Sequence, residues 1–224
     1  SMKRTGLKNR KLPDYTRGEE IFNMVSHIVG GAFGIVALVL CLITSILQGN
    51  PWSIVSSVVY GVSMVLLYTM SSVYHGLLPE MAKKVMQVLD HCTIYLLIAG
   101  TYTPIALCAI RTGYPAWGWA LFGGVWAIAI VAIVFTAIDL KKYAVLSMIC
   151  YIGMGWAIIF FAKQALQALT FPGFLLLLLG GIAYTVGSVL YGLGKRKKWM
   201  HSVFHIFVDL GALLQFFCVL FYAI

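Results

Sequence analysis

His201-x-x-x-His205 is the one pair of histidines in this chain spaced four residues apart. On a helix that spacing puts both imidazoles on one face, a turn apart. One helix can then offer two nitrogens to a zinc ion. Catalytic zinc usually takes three protein ligands and keeps a fourth position for water. His75 is the available third ligand. Three neutral imidazoles leave the ion's double charge largely uncompensated, which draws the pKa of a bound water toward about 7. Asp90 is then the candidate general base for that water. Ser71, four residues before His75, shares its helical face and is a candidate hydrogen-bond donor to substrate or water. An isolated H-x-x-x-H is weak by itself, and imidazole also suits copper, nickel and iron. The weight of the reading rests on what places these residues at one depth.

The elements that place them follow from composition. The chain has 224 residues, 61% hydrophobic and 10% charged. A soluble domain of this length needs far more charge to cover its surface. No Asp, Glu, Lys or Arg occurs from Ile21 to Pro79, and Gly49-Asn50-Pro51 breaks that run in two. A helix crosses a bilayer with about 20 mostly apolar residues. The uncharged runs predict seven transmembrane spans, 22–47, 53–77, 88–110, 117–138, 144–163, 173–193 and 199–223. Backbone polar groups in hydrocarbon must bond internally, so the expected fold is all-α. The expected organisation is a basic arm, 1–19, followed by one seven-helix membrane domain, 20–224.

Lys and Arg set the orientation. If the links alternate sides, one side collects Lys3, Arg4, Lys8, Arg10, Lys11, Arg17, Lys83, Lys84, Lys141, Lys142 and Lys195–Lys198. The other side collects only Arg111 and Lys163. This predicts a cytoplasmic N-terminus and an external C-terminus. It also explains the net charge of +9 as topology and contact with anionic lipid headgroups at the cytoplasmic face, and it argues against nucleic-acid binding. The first 20 residues are polar and basic and do not read as a signal peptide. The cysteines, Cys41, Cys92, Cys108, Cys150 and Cys218, fall singly within spans, so they read as small buried residues, not as a disulfide framework. Gly30-x-x-x-Gly34 suits close helix packing, and Pro104 should kink or end the regular part of span 3.

This topology gathers the polar residues. His75 ends span 2, Asp90 begins span 3, His201 and His205 begin span 7, and Glu20, Asn23 and His27 begin span 1. All lie within roughly 10 Å of the inner membrane edge at 1.5 Å per residue. Polar residues inside spans are costly and default to function. Glu20, Asn23 and His27 suit the rim of the site. His91, about 100° around the helix from Asp90, should face elsewhere. Asp209 carries the histidine face toward mid-membrane, where it either lines a cavity or makes a structural hydrogen bond.

Glu20-x-x-Asn23-x-x-x-His27, Ser71-Ser72-x-Tyr74-His75, Leu89-Asp90-His91-x-x-Ile94-Tyr95 with Gly100-Thr101-Tyr102-Thr103-Pro104, and His201-x-x-x-His205 occur in this order along the chain. Together they resemble the bacterial hemolysin-III branch of the progestin and adipoQ receptor family, over about residues 18–224. That pattern is similar to one shared with alkaline ceramidases. The resemblance implies an intramembrane zinc held by His75, His201 and His205, with Asp90 beside its water and Ser71 in the serine position. It also implies hydrolysis of a lipid amide such as ceramide. Asp209 is outside the family pattern.

Three functions stay open. The first is a zinc-dependent hydrolase of a membrane lipid amide or ester. The second is a sensor or regulator of membrane lipid state with structural zinc. The third is a cytolytic protein. The first needs an open metal position and a lipid-sized cavity; the second needs a site closed by a fourth protein ligand.

Overall fold

The computed structural model describes residues 3–224, and among these every regular element is helical. The long helices are α1 (Arg17–Gln48), α2 (Pro51–Gly76), α3 (Glu80–Pro104), α4 (Pro115–Ile138), α5 (Ala144–Gly155), α6 (Ala162–Gly194) and α7 (Met200–Cys218). Six helical stretches are long and apolar enough to cross a membrane. One of them, Ala144–Gly194, contains both α5 and α6. α3 is the most enclosed.

The ends of these helices follow from local chemistry. The Thr16 hydroxyl accepts from the Glu19 amide at 3.2 Å and opens α1. Gly49, at φ 65°, closes it in the left-handed region that favours glycine. Asn50 caps α2 by accepting from the Trp52 amide at 3.0 Å, with Pro51 at the first helical position. Lys83 caps the other end of α2, its ammonium donating to the carbonyls of Tyr74, His75 and Leu77. The α-helical part of α3 stops at Pro104, and Ile105–Ile110 continue as a π-helix. Proline has no N–H for the regular ladder, so the register slips there.

α1 runs from Arg17 where the apolar count starts near 22, and α3 runs from Glu80 where that count starts near 88. The apolar count marks the hydrocarbon layer, whereas capping and packing carry each helix beyond it. α1 packs on α2, α2 on α3, and α6 on α7. At Gly30 the helices approach so closely that a Cβ would stand 2.3 Å from the Tyr68 ring. Gly34 lies against Met64 in the same seam, as its spacing four residues on from Gly30 suggests. At one end of the bundle the starts of α1, α3 and α7 meet the end of α2. Residues 3–16 fold back over this end.

Candidate metal centre

α1 presents Glu20, Asn23 and His27 on one face, at spacings of three and four residues. α2 presents Ser71 and His75, and α7 presents His201, Ser202, His205 and Asp209. Asn23, His27, Ser71, His75, His201, Ser202 and His205 are all buried.

The nitrogens of His75, His201 and His205 that can act as ligands lie within 4.8 Å of one another. His201 Nε2 and His205 Nε2 are 3.1 Å apart. Two nitrogens bound to one tetrahedral ion at about 2.0–2.1 Å stand about 3.3 Å apart, so this pair fits. The far side of each ring tests the fit further. His75 Nδ1 is 2.6 Å from the Glu20 carboxylate. His205 Nδ1 is 3.1 Å from the Asn23 carbonyl, with the Ser26 hydroxyl at 3.2 Å. A carboxylate and a carbonyl only accept, so both Nδ1 atoms must donate. Each Nε2 is then a lone pair, the tautomer a metal requires. His75 Nε2 is buried and has no hydrogen-bond partner among the described residues. The three side chains can hold a metal ion.

The surrounding bonds hold these rings in place. Glu20 also pairs with Lys83 at 3.1 Å, so one carboxylate joins α1 to α2 and to the start of α3. Ser202 donates to Asn23 Oδ1 at 2.7 Å, tying α7 to α1. His27 stacks on His205 with ring centroids 3.6 Å apart and an interplanar angle of 13°. Its Nδ1 bonds the Ser71 hydroxyl. Its Nε2 lies 3.8 Å from Asp209.

The remaining residues named from sequence fall as follows. Asp90, on α3, faces Ser71. Asp90, Ser71, His27 and Asp209 thus form a polar file beside the histidines. His91 faces elsewhere, with Nδ1 on the Gln87 carbonyl at 2.8 Å and Nε2 on the Tyr191 hydroxyl at 3.0 Å. Asp209 faces Tyr68 as well as His27.

Sequence reasoning missed several participants. From sequence, Lys83 reads only as a topological charge. Ser26 and Ser202 neighbour the flagged Asn23, His27 and His201, yet a serine in a span carries no signal of its own. Tyr15 precedes α1 in the polar arm; its ring stands 4.9 Å from His201 and 6.1 Å from His75. Tyr191 stands 5.6 Å from His201. Nothing in the sequence marks either tyrosine.

Beyond Tyr15 and Tyr191 lies a cavity of about 470 Å³. Its apolar walls include Ile94, Tyr95, Met148 and Tyr151, and its mouth carries Arg10, Lys11, Lys141 and Lys195. Ligand cavities commonly span about 300–1,000 Å³.

The profile of the Haemolysin-III related family matches residues 15–216. Hemolysin-3 of Bacillus cereus is 41% identical over 206 residues, 92% of this chain and 92% of that protein. The Hemolysin-3 homolog of Bacillus subtilis (strain 168) is 40% identical over 210 residues, 94% of this chain and 97% of that protein. The human Monocyte to macrophage differentiation factor is 24% identical over 181 residues, 77% of this chain and 72% of its own.

Proposed function

The chain belongs to the Haemolysin-III related family of multi-pass integral membrane proteins, and from that premise we propose that it is a zinc-dependent hydrolase of a membrane lipid amide or ester. The observation that carries this reading is the convergence of three histidines, two of which, His75 and His205, have their outer nitrogens already committed. Zinc bound by His75, His201 and His205 would supply Lewis acidity, making water nucleophilic near neutral pH and polarising a carbonyl.

The chain's own residues do the rest. Asp90 accepts the proton of the attacking water on its carboxylate. The Ser71 hydroxyl donates to the carbonyl oxygen as negative charge builds there. His27 orients that hydroxyl through Nδ1. The cavity beside Tyr191 takes the lipid tail among α3, α5, α6 and α7, and its basic mouth suits an anionic bilayer surface.

The topology belongs to the same proposal. Ala144–Gly194 has 51 residues, about 76 Å of helix if continuous, more than twice a hydrocarbon core of about 30 Å. Thr170, at φ 63° and ψ 171°, breaks it just before Pro172. Two passes there make seven, which puts the basic arm in the cytoplasm and the C-terminus outside.

Three protein ligands leave a position open, which supports hydrolysis over a lipid sensor with closed structural zinc. The names of the Bacillus relatives also raise cytolysis, and dye-loaded liposomes test that directly. For the hydrolase, the experiment is fatty-acid release from a panel of labelled ceramides and lipid esters in proteoliposomes. We expect turnover of one class and a fall of about 100-fold or more in Asp90→Asn. Turnover by none of the panel, or full activity in Asp90→Asn, overturns the mechanism.

A further inference from the structure

Residues 3–16 fold back over the histidine end of the bundle, and one carboxylate outside the arm gathers their contacts. Asp139 lies between α4 and α5 and is 1% exposed. Its Oδ2 accepts from the Thr5 amide at 2.8 Å, and its Oδ1 lies 3.9 Å from Arg10 Nε. The neighbouring Ile138 carbonyl accepts from Arg4 at 3.2 Å and from Arg10 Nη2 at 3.1 Å. A second tie comes from α3, where Lys84 donates to the Lys8 carbonyl at 2.9 Å.

Between these ties and the start of α1, the arm crosses the cavity. Arg10, Lys11, Leu12, Pro13, Asp14 and Tyr15 form one wall of it. Tyr15 is half-buried, with its ring against His201 and near His75. The carboxylate and the carbonyl are both on the α4–α5 connection, whereas the ring they hold in place covers residues of α2 and α7. An attachment on other elements than the covered site, made of a few bonds, can open locally while the bundle stays folded.

We propose that residues 3–16 are a strap that closes the route from the basic face of the bundle to the histidine cluster, with Tyr15 as the plug and Asp139 as the latch. The strap rests on the reading of that cluster as the working site, but its contacts need no metal. Opening the latch exposes the arm, widens the mouth of the cavity and uncovers His201 together.

Two readouts on the full chain in nanodiscs test this, both on protein freed of metal with chelator. The first is tryptic cleavage after Lys8 and Lys11. The second is carbethoxylation of His201 by diethylpyrocarbonate, read by mass spectrometry. Arg10→Gln removes the arm's charge beside Asp139 and its bond to the Ile138 carbonyl, leaving the Thr5 amide in place, and Asp139→Asn removes the charge on the other side. If Asp139→Asn misfolds by loosening the α4–α5 turn, Arg10→Gln still decides the matter. Both variants should raise arm cleavage and His201 labelling by about 10-fold, since cleavage follows the population of the open form. Tyr15→Ala should raise His201 labelling alone. Equal cleavage in wild type and both variants overturns the latch. Faster cleavage with unchanged His201 labelling overturns the plug. A chain that binds no metal would fail the function proposed above and leave both readouts standing.

Discussion

The two ends of the bundle treat buried polar groups in opposite ways. At the end where α1 stops and α2 starts, polar side chains close on their own neighbourhood. Ser45 donates to the Cys41 carbonyl at 2.7 Å and pairs with Ser57 at 2.9 Å. Arg111 donates to the Leu107 carbonyl at 2.8 Å and lies 3.6 Å over the Trp52 ring. At the histidine end the bonds between helices engage imidazoles, a carboxylate and an ammonium as well as neutral groups. Glu20 joins His75 and Lys83, Ser202 joins Asn23, and His27 joins Ser71. Unpartnered atoms occur at both ends. Near the start of α2 they are lone hydroxyls, those of Ser53 and Ser56. At the histidine end, His75 Nε2 is unpartnered, and it belongs to a cluster whose ligand nitrogens lie within 4.8 Å of one another. Buried polar atoms are rarely left unpaired without a reason. Satisfied local bonds mark structure, and an orphaned lone pair among converging nitrogens marks a place for something else.

Substitutions at either end test this contrast. The largest effect should come from Glu20→Ala, which strips the acceptor from His75 Nδ1 and the partner from Lys83. We expect metal affinity to fall about 10–100-fold, the usual consequence of losing such a support, as measured by competition with a calibrated chelator. An unchanged affinity would mean that His75 needs no orientation from α1. Asp209→Asn should do less. It keeps the shape beside His27 Nε2 and removes the charge, so we expect a few-fold change in metal affinity or turnover. No change in either would leave Asp209 with a structural role only.

Ser45→Ala should leave metal binding untouched and lower stability by about 1 kcal/mol, since Ser57 can still reach the Cys41 carbonyl. Denaturant titration beside a metal assay checks both parts. A loss of metal would show that the two ends are coupled, which the contrast denies.

The smallest effect near neutral pH should come from pH itself, acting on the strap. Burial pushes the Asp139 carboxyl up, but the Thr5 and Lys142 amides and Arg10 outweigh it and hold the group below its ordinary value of 3.8. A depressed carboxylate stabilises the fold above its ordinary value and stops doing so as pH falls through the lowered one. Exposure of Lys8 and Lys11 should therefore stay flat from neutral pH down to about 4 and rise only in stronger acid. Chemical labelling of the two lysines, quenched across that range, reads it. A rise already between pH 7 and 5 would point to another latch.

Much of the site's neighbourhood was legible because hydrocarbon is a severe solvent. It forces long uncharged runs and makes each polar residue within them conspicuous. His75, Asp90, His201 and His205 stood out for that reason. Alternating the links between sides then put them at one depth. Contacts made outside the hydrocarbon left no such trace. Tyr15 and Thr5 sit in a polar arm where water satisfies any side chain, so nothing there signals folding back onto Asp139. Lys83 was visible only as a charge, because its three carbonyl partners depend on where α2 ends. The stacking of His27 on His205 depends on helix rotation, which apolar patterning fixes only coarsely. Thr170 falls between the two apolar runs read as spans 5 and 6, yet its left-handed backbone is a tertiary outcome that no propensity of threonine suggests.

Three histidines should hold one metal, with Asp90 outside the set. This is tested most directly by metal content in detergent-purified protein, prepared without chelator and read by mass spectrometry. Wild type, His201→Ala/His205→Ala and Asp90→Ala are compared side by side. One zinc per chain is expected in wild type and in Asp90→Ala, and none in the histidine double variant. Wild type without zinc, or zinc lost in Asp90→Ala and kept in the histidine variant, would contradict it.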